Sequence, residues 1–254
     1  MSKRRELELQ RQAGQRRQNM MVMGIVLAVT VVLIGGALVL NQANPPANTP
    51  AAAASLPSAS LGLSAKPSPP NAEKGGRAWG PVDAPIKIVE FIDYQCPACG
   101  QYAKTYDKPV VDAFAATGKV RWEYATLNFI DSFQPGSQES RDAAAASWCA
   151  TDQDKFWQMH YAIFDKQSGE NRGGFARPRL KEMARAIGLN GDTFDACLDS
   201  NKYATKVDES STVAREKNIS STPSFVVNGK VYPGFQSVTD FRRIFSEIAP
   251  GIVP

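Results

Sequence analysis

Histidine is almost missing from these 254 residues: His160 stands alone, which excludes His-rich metal sites. Cysteine is sparse, with four residues: Cys96, Cys99, Cys149 and Cys197. Net charge is also missing from the body of the chain. Of 29 basic and 25 acidic residues, six basic and two acidic lie in the first 20 positions, so the remaining 234 residues hold 23 of each. A balanced body excludes a strongly basic polyanion-binding domain, and no nucleic-acid partner is expected. One long stretch lacks charge altogether. Met20–Leu40 reads MMVMGIVLAVTVVLIGGALVL, and as a helix it would reach about 31 Å, the thickness of a bilayer core.

These absences divide the chain. Residues 1–19 are expected to form a cytoplasmic basic tail, because the positive-inside rule keeps Lys/Arg-rich flanks in the cytoplasm. Residues 20–40 are expected to be a transmembrane anchor. They are longer than the roughly 7–15 apolar residues of a cleaved signal, and either reading exports the rest of the chain. Residues 41–80 are rich in Pro, Ala and Ser with no hydrophobic period, as in a disordered linker. Residues 81–254 are expected to fold into one domain.

Within that domain, Ile86–Asp93 (IKIVEFID) is β-branched and aromatic, as expected for a buried strand, and a helix is expected after it to about Ala115. Val120–Asn128 alternates like a second strand. A helical period then dominates Arg141–Ala150, Asp152–Lys166, Arg179–Ile187, Asp192–Asp199 and Lys202–Lys217. Asp152 and Asp192 are expected N-caps, and Gly188 and Gly191 expected stops. Ser224–Val227 and Lys230–Tyr232 flank Asn228-Gly229, a type I′ hairpin signal. Val238–Ile248 is amphipathic. The order is β-α-β, a helical block at about 136–217, then β-β-α: a mixed α/β fold with an inserted helical domain.

Cys96-Pro97-Ala98-Cys99 sits where the first strand turns into a helix. A cysteine at a helix N-terminus faces unpaired N–H groups and the positive end of the macrodipole, both of which favour a thiolate. Pro97 suits the first helical turn, where its missing N–H has no partner to lose. Cys99, one turn further in, is placed to resolve a mixed disulfide. A structural disulfide and a zinc site are the rival readings. Zinc needs four ligands, and neither a second CxxC nor an HxxxH is present.

FIDYQCPACG, the helical insertion, QDKFWQMHYAIF and STPSFVVNG together resemble exported DsbA-like thiol:disulfide oxidoreductases of the thioredoxin fold, over about residues 80–249. The anchored, linker-bearing form resembles the Gram-positive and related bacterial members. The resemblance implies a thioredoxin-like sheet split by a helical domain. It assigns Thr222-Pro223 to a cis-proline loop beside the CxxC helix, where the Thr222 backbone would pair with an extended substrate; Pro97 and Ala98 would face that substrate too. It also places an acid at Glu90, as a proton acceptor or relay for Cys99. The alternative is a carboxylate at the strand edge facing water, and its charge partner is not identifiable from the sequence. Cys149 and Cys197 resemble a second disulfide found in the helical domain of some members; the alternative is two buried thiols. His160, Phe156, Trp157, Tyr161 and Phe164 share helical spacing and are expected in the core. Tyr94, Gln95 and Phe235 are expected near the substrate groove.

The implied activity is a membrane-bound, extracytoplasmic oxidase that introduces disulfides into exported cysteine-containing proteins. A membrane quinone-linked partner of the DsbB or vitamin K epoxide reductase type would reoxidise it, and no organic cofactor or metal is implied. Alanine at position 98 departs from the Pro-His of the best-known oxidases and offers no side-chain donor to the thiolate. A reductase or isomerase running the same exchange backwards, and a non-catalytic peptide-binding module, are the alternatives.

Overall fold

The computed structural model describes residues 61–63 and 65–252. The expected tail, the expected membrane span and the first half of the linker lie outside them. Among the described residues, no helix is long and apolar enough to cross a membrane.

A mixed five-stranded sheet forms the centre, in the order β1-β3-β2-β4-β5. Its strands are β1 (Ala78–Trp79), β2 (Ile86–Ile92), β3 (Val120–Thr126), β4 (Ser224–Val227) and β5 (Lys230–Pro233). β2 lies in the middle, parallel to β3 and antiparallel to β4. Both faces of β2 are covered, which explains its near-continuous apolar run. Ile86, Ile88 and Ile92 enter the main core. Phe91 enters a smaller cluster on the other side with Ala125, Leu127, Ala214 and Val226. Each such large apolar side chain contributes about 1.5–3 kcal/mol on burial.

α1 (Pro97–Thr105) and α2 (Asp107–Phe114) connect β2 to β3. The helical block comes next, as α3 (Glu139–Thr151), α4 (Phe156–Asp165), α5 (Arg177–Ala186), α6 (Gly191–Asp199) and α7 (Ala204–Glu216), and the β4–β5 hairpin and α8 (Val238–Ile248) close the fold. Four consecutive alanines in α3, Ala143 to Ala146, are buried, and their small side chains let neighbouring helices approach closely. α8 starts with a capping box, in which Ser237 and Asp240 satisfy each other's backbone N–H groups, and it buries Phe241, Ile244 and Phe245. In the hairpin, Asn228 and Gly229 both have positive φ, +44° and +90°, as a type I′ turn requires.

Several expected boundaries shift for identifiable reasons. The fold begins before residue 81: β1 pairs antiparallel with β3, and Trp79 stacks on Trp122 with ring centroids 5.4 Å apart. A two-residue strand is too short to show a period in the sequence. β2 stops at Ile92 because Asp93 turns to accept hydrogen bonds from Gln95 and Ile130 backbone N–H groups. Asp152 caps no helix start; its carboxylate accepts from Lys202 Nζ and the Tyr203 hydroxyl, and α4 begins only at Phe156. The cap of α6 is Asn190, which accepts from the Thr193 N–H, and not Asp192. Gly191 is therefore the first residue of a helix and no stop, whereas Gly188, with φ of +78°, comes after the end of α5 as expected.

Cys149 in α3 and Cys197 in α6 are joined by a disulfide, with Cα atoms 5.9 Å apart and a sequence separation of 48. Closing a loop of that length restricts the unfolded chain by about 3–4 kcal/mol in the chain-entropy view. Replacing both cysteines by serine is expected to lower unfolding stability by about that amount, measured by denaturant titration.

Candidate active site

The register of the sheet brings the two halves of the site together. Phe91 of β2 lies opposite Ser224 of β4. The residues just before Ser224 therefore reach the end of β2, where the chain turns into α1. Thr222-Pro223, joined by a cis peptide bond, occupies this position. Its Thr222 carbonyl oxygen lies 3.4 Å from Cys96 Sγ, although 126 positions separate the two residues.

Cys96 is the N-cap of α1, with extended backbone (φ −65°, ψ 118°), and Pro97 stands at the first helical position. No side-chain oxygen caps this helix. The sulfur lies at the positive end of the helix, where the macrodipole favours its anion. Cys96 is pulled below the usual thiol range, to about 6, first by a hydrogen bond from the Cys99 thiol. Burial opposes this, while the Thr222 side chain and the backbone N–H groups of Cys99 and Ala98 reinforce it. Cys99 is pushed well above its ordinary value by burial and by the charge on Cys96. One thiol therefore ionises near neutrality while its partner keeps its proton. Both are free thiols here; Cys96 is 8% exposed and Cys99 1% exposed. Pro97 is exposed and Ala98 half-buried, forming the outer rim beside Cys96.

The acid at position 90 is buried and does not face water. Strand alternation puts it on the same face as Ile88 and Ile92, the face that packs into the core holding Cys99 and Tyr102 of α1. Its Oε2 accepts from Trp122 Nε1 at 3.0 Å. No lysine pairs with it among the described residues. Its charged neighbour is another acid, Asp107, whose Oδ1 accepts from the Tyr124 hydroxyl at 2.7 Å. Burial pushes Glu90 well up, and Asp107 adds to the push; Asp107 is itself raised to about 6 by burial.

A second polar group underlies the turn before Cys96. The fully buried Asp93 carboxylate accepts from the Gln95 and Ile130 backbone N–H groups and from Ser140 Oγ. Burial still outweighs these bonds and raises Asp93 to about 7. Gln95, also fully buried, donates from Nε2 to Asp131, Ser140 and Asn171. Tyr94 is likewise core: its hydroxyl lies 3.1 Å from His160 Nδ1. Tyr94 and Gln95 therefore line no groove, because the turn points both inward. Of the three residues expected there, only Phe235 reaches the surface, 37% exposed and packed on Tyr102 and Tyr106. His160 lies among aromatic rings, and burial lowers it to about 3, so it is a neutral core residue. The sequence signal for Asp93 was its polarity at the end of an apolar strand. Asp107, at the start of α2, carried no such signal.

Iodoacetamide labelling of the reduced protein should track the thiolate of Cys96. The rate rises as pH increases through about 6 and then levels off, with Cys99 unlabelled. A midpoint near the ordinary thiol value would contradict the N-cap account.

A family model described as Thioredoxin matches residues 72–247. Disulfide bond formation protein D of Bacillus subtilis is 27% identical over 179 residues, 70% of this chain and 79% of that protein. The crystal structure of oxidised BdbD from Bacillus subtilis is similar with a TM-score of 0.61 at 27% identity, over 74% of this chain and 98% of that one. Oxidised DsbA of Mycobacterium tuberculosis gives a TM-score of 0.55 at 28% identity, over 70% of this chain and 95% of that one. Na(+)/H(+) antiporter NhaA 3 of Salinispora tropica is 28% identical over 156 residues, but the chain spans only 22% of that protein's length. With the cysteine pair at a helix start, the cis-proline loop against it and the family match over the folded residues, the chain belongs to the thioredoxin family and is a DsbA-like thiol:disulfide oxidoreductase.

Proposed function

We propose that this enzyme works extracytoplasmically, on a membrane tether, as an oxidase that introduces disulfides into exported proteins. The observation that carries this reading is the unequal pair of thiols, because a fold that stabilises the Cys96 thiolate stabilises the reduced enzyme and so favours giving its disulfide away. A substrate thiolate attacks Cys96 Sγ of the Cys96–Cys99 disulfide. The sulfur–sulfur bond breaks, its electron pair leaves with Cys99, and Cys99 takes up a proton. A second substrate thiolate then attacks the substrate sulfur of the mixed disulfide and expels Cys96 as a thiolate. The substrate has lost two electrons and the enzyme has gained them. The exposed rim of Pro97 and the backbone of Thr222 offer the substrate an edge to pair with, without reading its side chains. Glu90 lies on the sheet face that packs into the core holding Cys99, and a protonated acid there, with Asp107 beside it, supplies and retrieves the Cys99 proton. Reoxidation falls to a membrane quinone-linked enzyme of the DsbB or vitamin K epoxide reductase type. That role fits the uncharged Met20–Leu40 stretch, which would hold the domain at the membrane surface.

Five measurements test this. The potential of the Cys96/Cys99 couple should lie above the glutathione range; a value well below it would favour the reductase reading. Its pH dependence should break near pH 6. Below the break, two protons accompany two electrons, giving about 59 mV per pH unit, and above it one proton does, giving about 30 mV. The Cys99→Ala variant should accumulate mixed disulfides with exported proteins through Cys96. A chain that functions unchanged as Cys96→Ser would instead be a peptide-binding module. Glu90→Gln should slow formation of the mixed disulfide, the step in which Cys99 takes up its proton, and flatten its pH dependence while leaving the Cys96 labelling midpoint in place.

A further inference from the structure

Gly100 comes directly after Cys99 inside α1, where glycine is a poorer helix former than alanine. A Cβ at this position would come 2.1 Å from Oε1 and 2.9 Å from Cδ of Gln167, and the nearest atoms all belong to that one side chain. Gln167 lies in the loop after α4, within the helical insertion. Its Nε2 donates to the carbonyl oxygens of Tyr94 at 2.9 Å and Cys96 at 2.8 Å. The Cys96 carbonyl is also the first acceptor of α1, taking the Gly100 N–H at 3.1 Å. The same loop holds the residue between them: the Asn171 N–H donates to Gln95 Oε1. Residues 94–96 are thus gripped at three points by a segment that is remote in sequence.

We propose that Gln167 is a positioning residue for the redox pair: its carboxamide, seated in the notch left by Gly100, locks the Cys96 N-cap at the start of α1. The helical insertion thereby sets how readily Cys96 ionises, and the small residue after the CPAC sequence is required for that reach. This rests on Cys96 as the attacking thiol.

The test is the pH profile of Cys96 alkylation, with the glutathione equilibrium as a second readout, in the full-length protein in detergent. Gln167→Glu keeps the size of the side chain and removes its donors. It is expected to raise the labelling midpoint by about one pH unit, or roughly tenfold less thiolate below it, and to make the pair less oxidising. Gly100→Ala is expected to do the same, because the added methyl evicts the carboxamide. In a Gln167→Ala background the methyl meets no side chain, so Gly100→Ala should add nothing further. An unchanged midpoint in folded Gln167→Glu, or additive effects of Gly100→Ala and Gln167→Ala, overturns the proposal. If Gly100→Ala alone fails to fold, the Gln167→Ala background should restore folding, and failure to do so equally overturns it. A wild-type midpoint in the ordinary thiol range would instead sink the attacking role of Cys96, an outcome separate from any comparison of variants.

Discussion

Every helix begins with backbone N–H groups that no residue of the helix can satisfy. In most helices a short oxygen-bearing side chain accepts them. In α1 the capping position holds Cys96, with no oxygen cap, and Pro97 removes one of the orphan donors. A small set of N–H groups is left at the helix start, those of Ala98 and Cys99, and both favour charge on the Cys96 sulfur. The arrangement favours an anion because the donors are already in place and need no reorganisation when the proton leaves. Everything else around the site serves to keep the helix start where it is. β2 delivers it, Asp93 shapes the turn, and the β2–β4 register sets Thr222 against the sulfur.

The electrostatic setting is a consequence of burial. Glu90, Asp93 and Asp107 are all inside, and each is raised by the loss of water around it. Carboxylates so close to a thiolate would oppose it if all were ionised. Burial keeps protons on these acids up to higher pH than usual, so they oppose charge on Cys96 less than exposed carboxylates would. The sign for stability is also fixed. In the reduced protein a lowered folded-state value for Cys96 contributes stability above the ordinary thiol range, and that contribution fades as pH falls through about 6. The raised acids act in the opposite sense: their burial is tolerated best at low pH and costs stability as pH rises through their folded-state values. The reduced enzyme is therefore pulled both ways across the neutral range, and the oxidised enzyme feels only the second pull.

The chemistry of the pair was legible because it is local. A strand, a CxxC and a proline at the first helical position lie within a dozen residues, and the hairpin turn and α8 announce themselves by Asn-Gly and by helical period. The supporting groups were not legible because their partners are remote. Glu90 could be recognised as an acid in an apolar strand, but that its neighbour is Asp107 and not a lysine depends on how α2 crosses the sheet. Tyr94 and Gln95 looked like groove residues from their position beside Cys96, and the tight turn at Asp93 sends both inward. Helix starts went astray where two candidates competed, because Asn190 lies two positions before Asp192 and either side chain suits a cap.

A helical insertion between two strands of a thioredoxin-like sheet could be mere cargo that the sheet tolerates. Here it has the mechanical properties of a support. Its helices α3 and α6 are tied by the Cys149–Cys197 disulfide, its alanine-rich face packs closely, and the loop after α4 returns to the redox turn through Gln167 and Asn171. A hydrogen bond from a floppy element fixes nothing, since the element moves with its acceptor; one from a cross-braced element transmits position. The brace and the grip are therefore parts of one device. A disulfide that never exchanges electrons with substrate contributes, through the rigidity of the helices it joins, to the geometry of the pair that does.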